Sequence, residues 1–149
     1  MICKDMKKIL FAALCLLISF GTASWAQQQQ QMSPEEKEKK LNEFILQQVE
    51  KLETSLKLED WQSFYVDSIL THDYHALQAE LDALTDAKVS NGDLYTQVSD
   101  KWAEQIYNSF HGILNEDQWA KYLKGGAARD KKARDKRKAK AAEANATLK

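Results

Sequence analysis

Leu58-Glu59-Asp60-Trp61-Gln62 and Leu114-Asn115-Glu116-Asp117-Gln118 are two versions of one phrase, set 56 positions apart. The second version carries a complete helix-starting device. Asn115 is a favoured N-cap, and Gln118, three residues on, can reach back to the Asn115 backbone N–H. Leu114 before the cap and Trp119 four residues into the helix form a hydrophobic staple. Glu116 and Asp117 lie in the first turn, where negative charge favours the positive end of the helix dipole. The first version keeps Leu58 and Gln62 but has Glu59 at the cap, which is not a preferred capping residue. Two helix starts of one design predict two related halves in an all-α chain, each a longer helix, the phrase, and another helix.

The segments around the phrases carry helical periodicity. Upstream, Ser33 is a natural N-cap, Pro34 suits the first helical position, and Glu36 completes a capping box. Leu41, Phe44, Ile45, Val49, Leu52 and Leu56 then follow at steps of three, one, four, three and four, the mark of one apolar helix face. After the first phrase, Trp61, Phe64, Tyr65, Ile69, Leu70, Leu77, Leu81 and Leu84 predict a long second helix reaching about Val89. Ser90-Asn91-Gly92-Asp93 reads as a turn with a helix cap at its end. Tyr95, Val98, Trp102, Ile106, Phe110 and Ile113 give a third helix, and Trp119, Tyr122 and Leu123 a short fourth. Gly125 is placed to end that helix in a left-handed conformation. No stretch alternates apolar and polar residues, so strands are not expected.

The ends differ from the body. Residues 1–26 have the layout of a secretory signal peptide: Lys4, Lys7 and Lys8, then the apolar run Ile9 to Phe20, then Ser24-Trp25-Ala26 as a small-residue cleavage site. An uncleaved anchor is the alternative, although the run is shorter than the roughly 20 residues a span needs. Cys3 and Cys15 leave with this segment, so the mature chain has no thiol and holds itself by helix packing. Residues 27–32 are a glutamine-rich spacer, residues 33–124 a helical domain, and residues 125–149 a basic tail. The tail carries nine Lys/Arg and three Asp/Glu, whereas residues 27–124 carry nine Lys/Arg and 18 Asp/Glu. A formal net charge of -1 therefore hides an acidic body and a basic arm. The tail has helix-forming composition but no apolar stripe, and reads as a solvated helix or a disordered arm. It could also be a handle for an anionic surface. Export and the lack of aromatics in the tail argue against nucleic acid.

Motif, size, export signal and helix order together resemble the Spy/CpxP-type periplasmic proteins, which carry two Leu-Thr-x-x-Gln motifs. Leu58, Gln62, Leu114 and Gln118 match that motif; Asn115 replaces its threonine with an equally good cap, and Glu59 departs from it. The resemblance spans roughly residues 33–124. It implies about four amphipathic helices in a thin hairpin or bundle, a homodimer, and ATP-independent binding of unfolded envelope proteins. It also implies, in some relatives, stress signalling or metal binding. The acidic body departs from the basic client face of the family's well-known chaperone.

The remaining constellations are weaker. His72 and His75 share a helix face at i and i+3, with Asp73 adjacent in sequence but directed elsewhere. A metal site needs three or four converging ligands, and these two are only weak candidates. No nucleophile–base set, glycine loop or catalytic carboxylate pair stands out, so neither an enzyme nor a cofactor is expected. Trp61, Tyr65, Trp102, Tyr107, Phe110 and Trp119 exceed what a thin helical layer can hide, and are the candidate client or dimer surface. The expectation is a periplasmic, chaperone-like binder of unfolded or partly folded proteins. The alternatives are a stress- or metal-responsive adaptor, or a structural module tethered by its tail.

Overall fold

The computed structural model describes residues 33–147. The expected signal peptide, the glutamine spacer and the last two residues lie outside the described residues. The protein is all-α: α1 (Pro34–Leu56), α2 (Asp60–Asp86), α3 (Gly92–Ile113), the short α4 (Glu116–Tyr122), a π-helical turn (Leu123–Ala127) and α5 (Ala128–Thr147). Among the described residues there is no strand, and no helix is long and apolar enough to cross a membrane.

The first three helices run up, down and up, with α2 in the middle. Contacts between α1 and α2 show the antiparallel register. Lys37 pairs with Asp82 at 3.5 Å, His75 meets Asn42 at 2.9 Å, and Phe44 packs edge-on against Tyr74. Across the α2–α3 interface, Gln105 donates to Asp73 at 2.9 Å and Lys101 pairs with Glu80.

Both tight connections are made by one device. Lys57 and Lys88 adopt φ of 52° and 53°, the left-handed region usually given to glycine. Leu58 N–H then donates to Glu53 C=O at 3.3 Å, and Val89 N–H to Leu84 C=O at 3.0 Å. These are Schellman closures, which satisfy carbonyls left over at a helix end. Lys88 stops α2 at Asp86, short of the expected Val89. The next cap is Asn91, whose side chain accepts from Asp93 N–H at 3.0 Å, so α3 starts at Gly92 and not after Asp93.

The core is gathered at one end of the bundle. Ile45, Val49 and Leu56 of α1, Val66 and Leu70 of α2, and Ile106 and Phe110 of α3 pack with Leu114. Leu77, Leu81 and Leu84, farther along α2, are only partly covered. Fully burying such side chains stabilises by about 1.5–3 kcal/mol each, so the fold is held mainly at the end where the two phrases lie.

There the phrases meet. Gln62 and Gln118 are 2% and 5% exposed. Each side-chain carbonyl accepts the backbone N–H of its own helix cap, Glu59 or Asn115, at 3.0 Å. The amides also bond each other reciprocally: Gln62 Nε2 donates to Gln118 Oε1 at 2.7 Å, and Gln118 Nε2 to Gln62 Oε1 at 2.8 Å. The second hydrogen of Gln62 Nε2 goes to Ile113 C=O at 2.9 Å, and that of Gln118 Nε2 to Lys57 C=O at 3.4 Å. Every partner in one half has its counterpart 56 residues away in the other, so the sequence repeat is a local two-fold in space. Both amides use their full donor and acceptor capacity, as a buried polar group must.

Beyond α4 the chain does not stop at Gly125. It is Gly126 that turns to positive φ, at 126°, inside the π turn, and the chain continues into α5. The tail is therefore helical, and it is not merely solvated. Arg137 grips Asp100 with two hydrogen bonds of 2.6 and 2.7 Å, while Arg134 and Lys131 both reach Glu104, at 3.2 and 3.3 Å. Cations on α5 supply the contact with α3 that the missing apolar stripe could not.

Candidate functional site

Besides the Phe44–Tyr74 and His72–Trp102 pairs, this packing leaves two larger aromatic groups, and they differ in exposure. On α2 the buried face steps through Gln62, Val66, Leu70 and Asp73. Trp61, Phe64 and Tyr65 fall off that stripe and stand 50%, 67% and 51% exposed. They form one patch: Trp61 and Phe64 each meet Tyr65 edge-to-face, with centroids 6.2 and 5.7 Å away. The Glu59 carboxylate accepts the Trp61 indole N–H at 2.7 Å and thereby fixes the ring at the patch edge. Glu59, a poor cap by residue type, thus serves a second purpose. Asp60 and Asp67 are exposed beside it.

The second group is half-buried. Trp119 packs against Tyr107 at 4.9 Å, Tyr122 at 5.5 Å and the His111 ring at 4.7 Å, and Tyr122 packs against Phe110 at 5.4 Å. Burial pushes the Tyr122 hydroxyl up to about 12, against the opposing pull of Arg134. Arg134 and Lys131 lie over the Tyr107 ring at 5.6 and 6.0 Å and cover it. Hydrogen bonding to Asp135 and Glu104 raises the Lys131 ammonium pKa, and the Asp100 hydrogen bonds raise that of the Arg137 guanidinium.

Of the six aromatics expected at a surface, Trp61 and Tyr65 are exposed and Tyr107 and Trp119 are partly covered. Trp102 and Phe110 are corrections, at 8% and 1% exposure. Both lie on the α3 stripe that faces α2, where periodicity had already placed them. Phe64, absent from those six, is the most exposed aromatic of the patch. Its place beside Trp61 and Tyr65, opposite the buried stripe, was the available signal. Of the helix-cap residues, Gln62, Gln118 and Leu114 are buried, Leu58 packs against the core, and Asn115 caps α4 by accepting from Gln118 N–H at 3.0 Å.

The histidines diverge. His72 Nδ1 bonds Asp73 Oδ1 at 2.8 Å and its ring faces Trp102 of α3, while His75 is bonded to Asn42 of α1. Asp73, expected to point away from His72, bonds it because the carboxylate is tucked under the α2–α3 interface. Among the described residues no group of three His, Cys, Asp or Glu converges on a metal position. Asp73 Oδ2 and Trp102 Nε1 are buried without a hydrogen-bond partner. A groove of about 850 Å³ lies between α3 and α5, but Asp100, Glu104, Lys131, Arg134 and Arg137 line it already engaged with one another.

A small all-α bundle with a paired helix-start motif and an exposed aromatic patch is the class of protein defined here. Comparisons with protein families, curated proteins and solved structures returned no match to this chain.

Proposed function

We propose that this protein is an ATP-independent, chaperone-like binding protein of the Spy/CpxP type. After export it would work in the periplasm as a homodimer and hold exposed apolar segments of unfolded or partly folded envelope proteins. The observation that carries this reading is the patch of Trp61, Phe64 and Tyr65, half or more exposed on a helix whose opposite face is packed. Three adjacent large aromatics left in water are expensive for a small domain and suit a surface that exchanges water for apolar partners. Aromatic side chains provide large contact area at small entropic loss, so one patch can serve many sequences. Contact with apolar side chains is the chemistry that the Trp61, Phe64 and Tyr65 rings support.

Light scattering of a chemically denatured model client provides the test. Equimolar purified protein is expected to suppress aggregation, and the triple variant W61A/F64A/Y65A to lose most of that effect while keeping its helical circular dichroism. Scattering unchanged by the wild-type protein at every ionic strength would sink the proposal.

A further inference from the structure

The surroundings of the aromatic patch indicate what kind of segment it takes. From Leu58 to Ala87 there is no Lys or Arg, against seven Asp and Glu. Farther along α2 most of these acids are occupied: Glu80 pairs with Lys101, Asp82 with Lys37, and Asp73 is buried with His72 and Gln105, leaving Asp86 at the end of the helix. Glu59, Asp60 and Asp67 have no ion pair with a Lys or Arg among the described residues. Charge without an internal partner thus collects where the aromatics are exposed.

The same chain shows twice how such a combination is satisfied. Lys101 lies 4.8 Å from the Trp102 ring while pairing with Glu80. Arg134 lies over Tyr107 while pairing with Glu104, and Lys131 joins it on both. In each case a cation sits on an aromatic face and gives its charge to a neighbouring carboxylate. At Trp61 and Tyr65 the rings and carboxylates are present, and no Lys or Arg of the described residues lies over them. Cation–π contact and ion pairing would reinforce each other there, because the ring removes water from one side of the cation.

We propose that the Trp61–Phe64–Tyr65 surface, rimmed by Glu59, Asp60 and Asp67, selects polypeptide segments in which Lys or Arg stands beside apolar side chains. This rests on the chaperone-like reading and names its substrate class. Apolar contact with the three rings supplies the affinity, and the carboxylates supply selection and faster encounter. Anionic apolar segments and anionic lipid surfaces are repelled by the same rim.

Fluorescence anisotropy with two labelled peptides of identical apolar content, one bearing Lys and one bearing Glu at the polar positions, tests this. At low salt the Lys peptide is expected to bind about tenfold tighter, with the gap closing near 0.5 M NaCl as screening shortens the reach of the rim. The variant D60N/D67N, which leaves the Glu59–Trp61 contact in place, is expected to narrow the same gap at low salt while an uncharged peptide of the same apolar content binds as before. The variant W61A/F64A/Y65A is expected to bind none of the peptides. Equal binding of both charged peptides, lost in the aromatic variant, overturns the charge selection and leaves the chaperone-like reading standing. Binding of neither peptide overturns both. If the aromatic variant instead changes the protein's mass by light scattering and no peptide competes with that self-association, the patch is a dimer contact and the proposal is overturned.

Discussion

Gln62 and Gln118 are the residues on which the fold turns. Replacing one with leucine strands the donor and acceptor of the other in a buried site, at about 1–3 kcal/mol for each orphaned group. Gln118→Leu is therefore expected to lower stability in urea by about 2–4 kcal/mol. The double variant Q62L/Q118L should lose less than the sum of the single losses, with a coupling of at least about 1 kcal/mol in a double-mutant cycle. Strict additivity would mean that the two amides act only as separate caps. Asn115→Ala should cost about 0.5–2 kcal/mol, and Glu59→Ala less, since the Glu59 carboxylate is turned to the Trp61 indole. Lys57 and Lys88 hold a conformation that disfavours any side chain. Lys88→Gly is thus expected to raise the urea midpoint by the equivalent of about 0.5–1 kcal/mol. Neither lysine was legible as a helix stop. Sequence reading looks for glycine there, and these turns are imposed by the packing on either side.

At the scale of the element, α5 is the helix whose position depends most on charge. It offers α3 no buried apolar side chain, and its grip comes from Lys131, Arg134 and Arg137 on Glu104 and Asp100. Exposed ion pairs contribute about 0–1 kcal/mol each and weaken in salt. Hydrogen exchange over residues 128–147 should quicken severalfold between low salt and 0.5 M NaCl while the middle of α2 is unaffected. The variant R134Q/R137Q should reproduce this at low salt, and exchange independent of salt would show that α5 is held by other forces. Its helical propensity was readable from Ala, Lys and Arg. Its docking was not, because the partners Asp100 and Glu104 lie about 30 residues away on α3 and look like ordinary solvated acids.

For the whole molecule, two half-buried phenols tie stability to alkaline pH. Burial raises the Tyr74 hydroxyl and carries that of Tyr122 to about 12, whereas in an unfolded chain tyrosine ionises near 10. The fold favours the neutral phenols, so this stabilisation is complete below pH 10. It is lost progressively between about pH 10 and 12, as the unfolded chain gives up its protons first. Urea denaturation at pH 9 and pH 11 should show a loss on the order of 1 kcal/mol from Tyr122, with Tyr74 adding to it in the same direction. Tyr122→Phe should remove its share of that loss, and an unchanged pH slope in this variant would contradict the assignment.

The sequence by itself determined that the chain is all-α, where three of its helices begin, and that two of those starts share one design. Helix caps and three- to four-residue apolar steps are local, and local signals survive without knowledge of neighbours. Only the tertiary structure decided that Gln62 and Gln118 face each other, that α5 lies against α3, and which aromatics stay wet. Trp61 and Trp102 are alike in composition terms. Trp102 lies on the side of α3 that meets α2, while Trp61 lies on the side of α2 that meets no other helix among the described residues. That distinction, on which the proposed function rests, follows from which helix faces are covered, and coverage is a property of three helices at once.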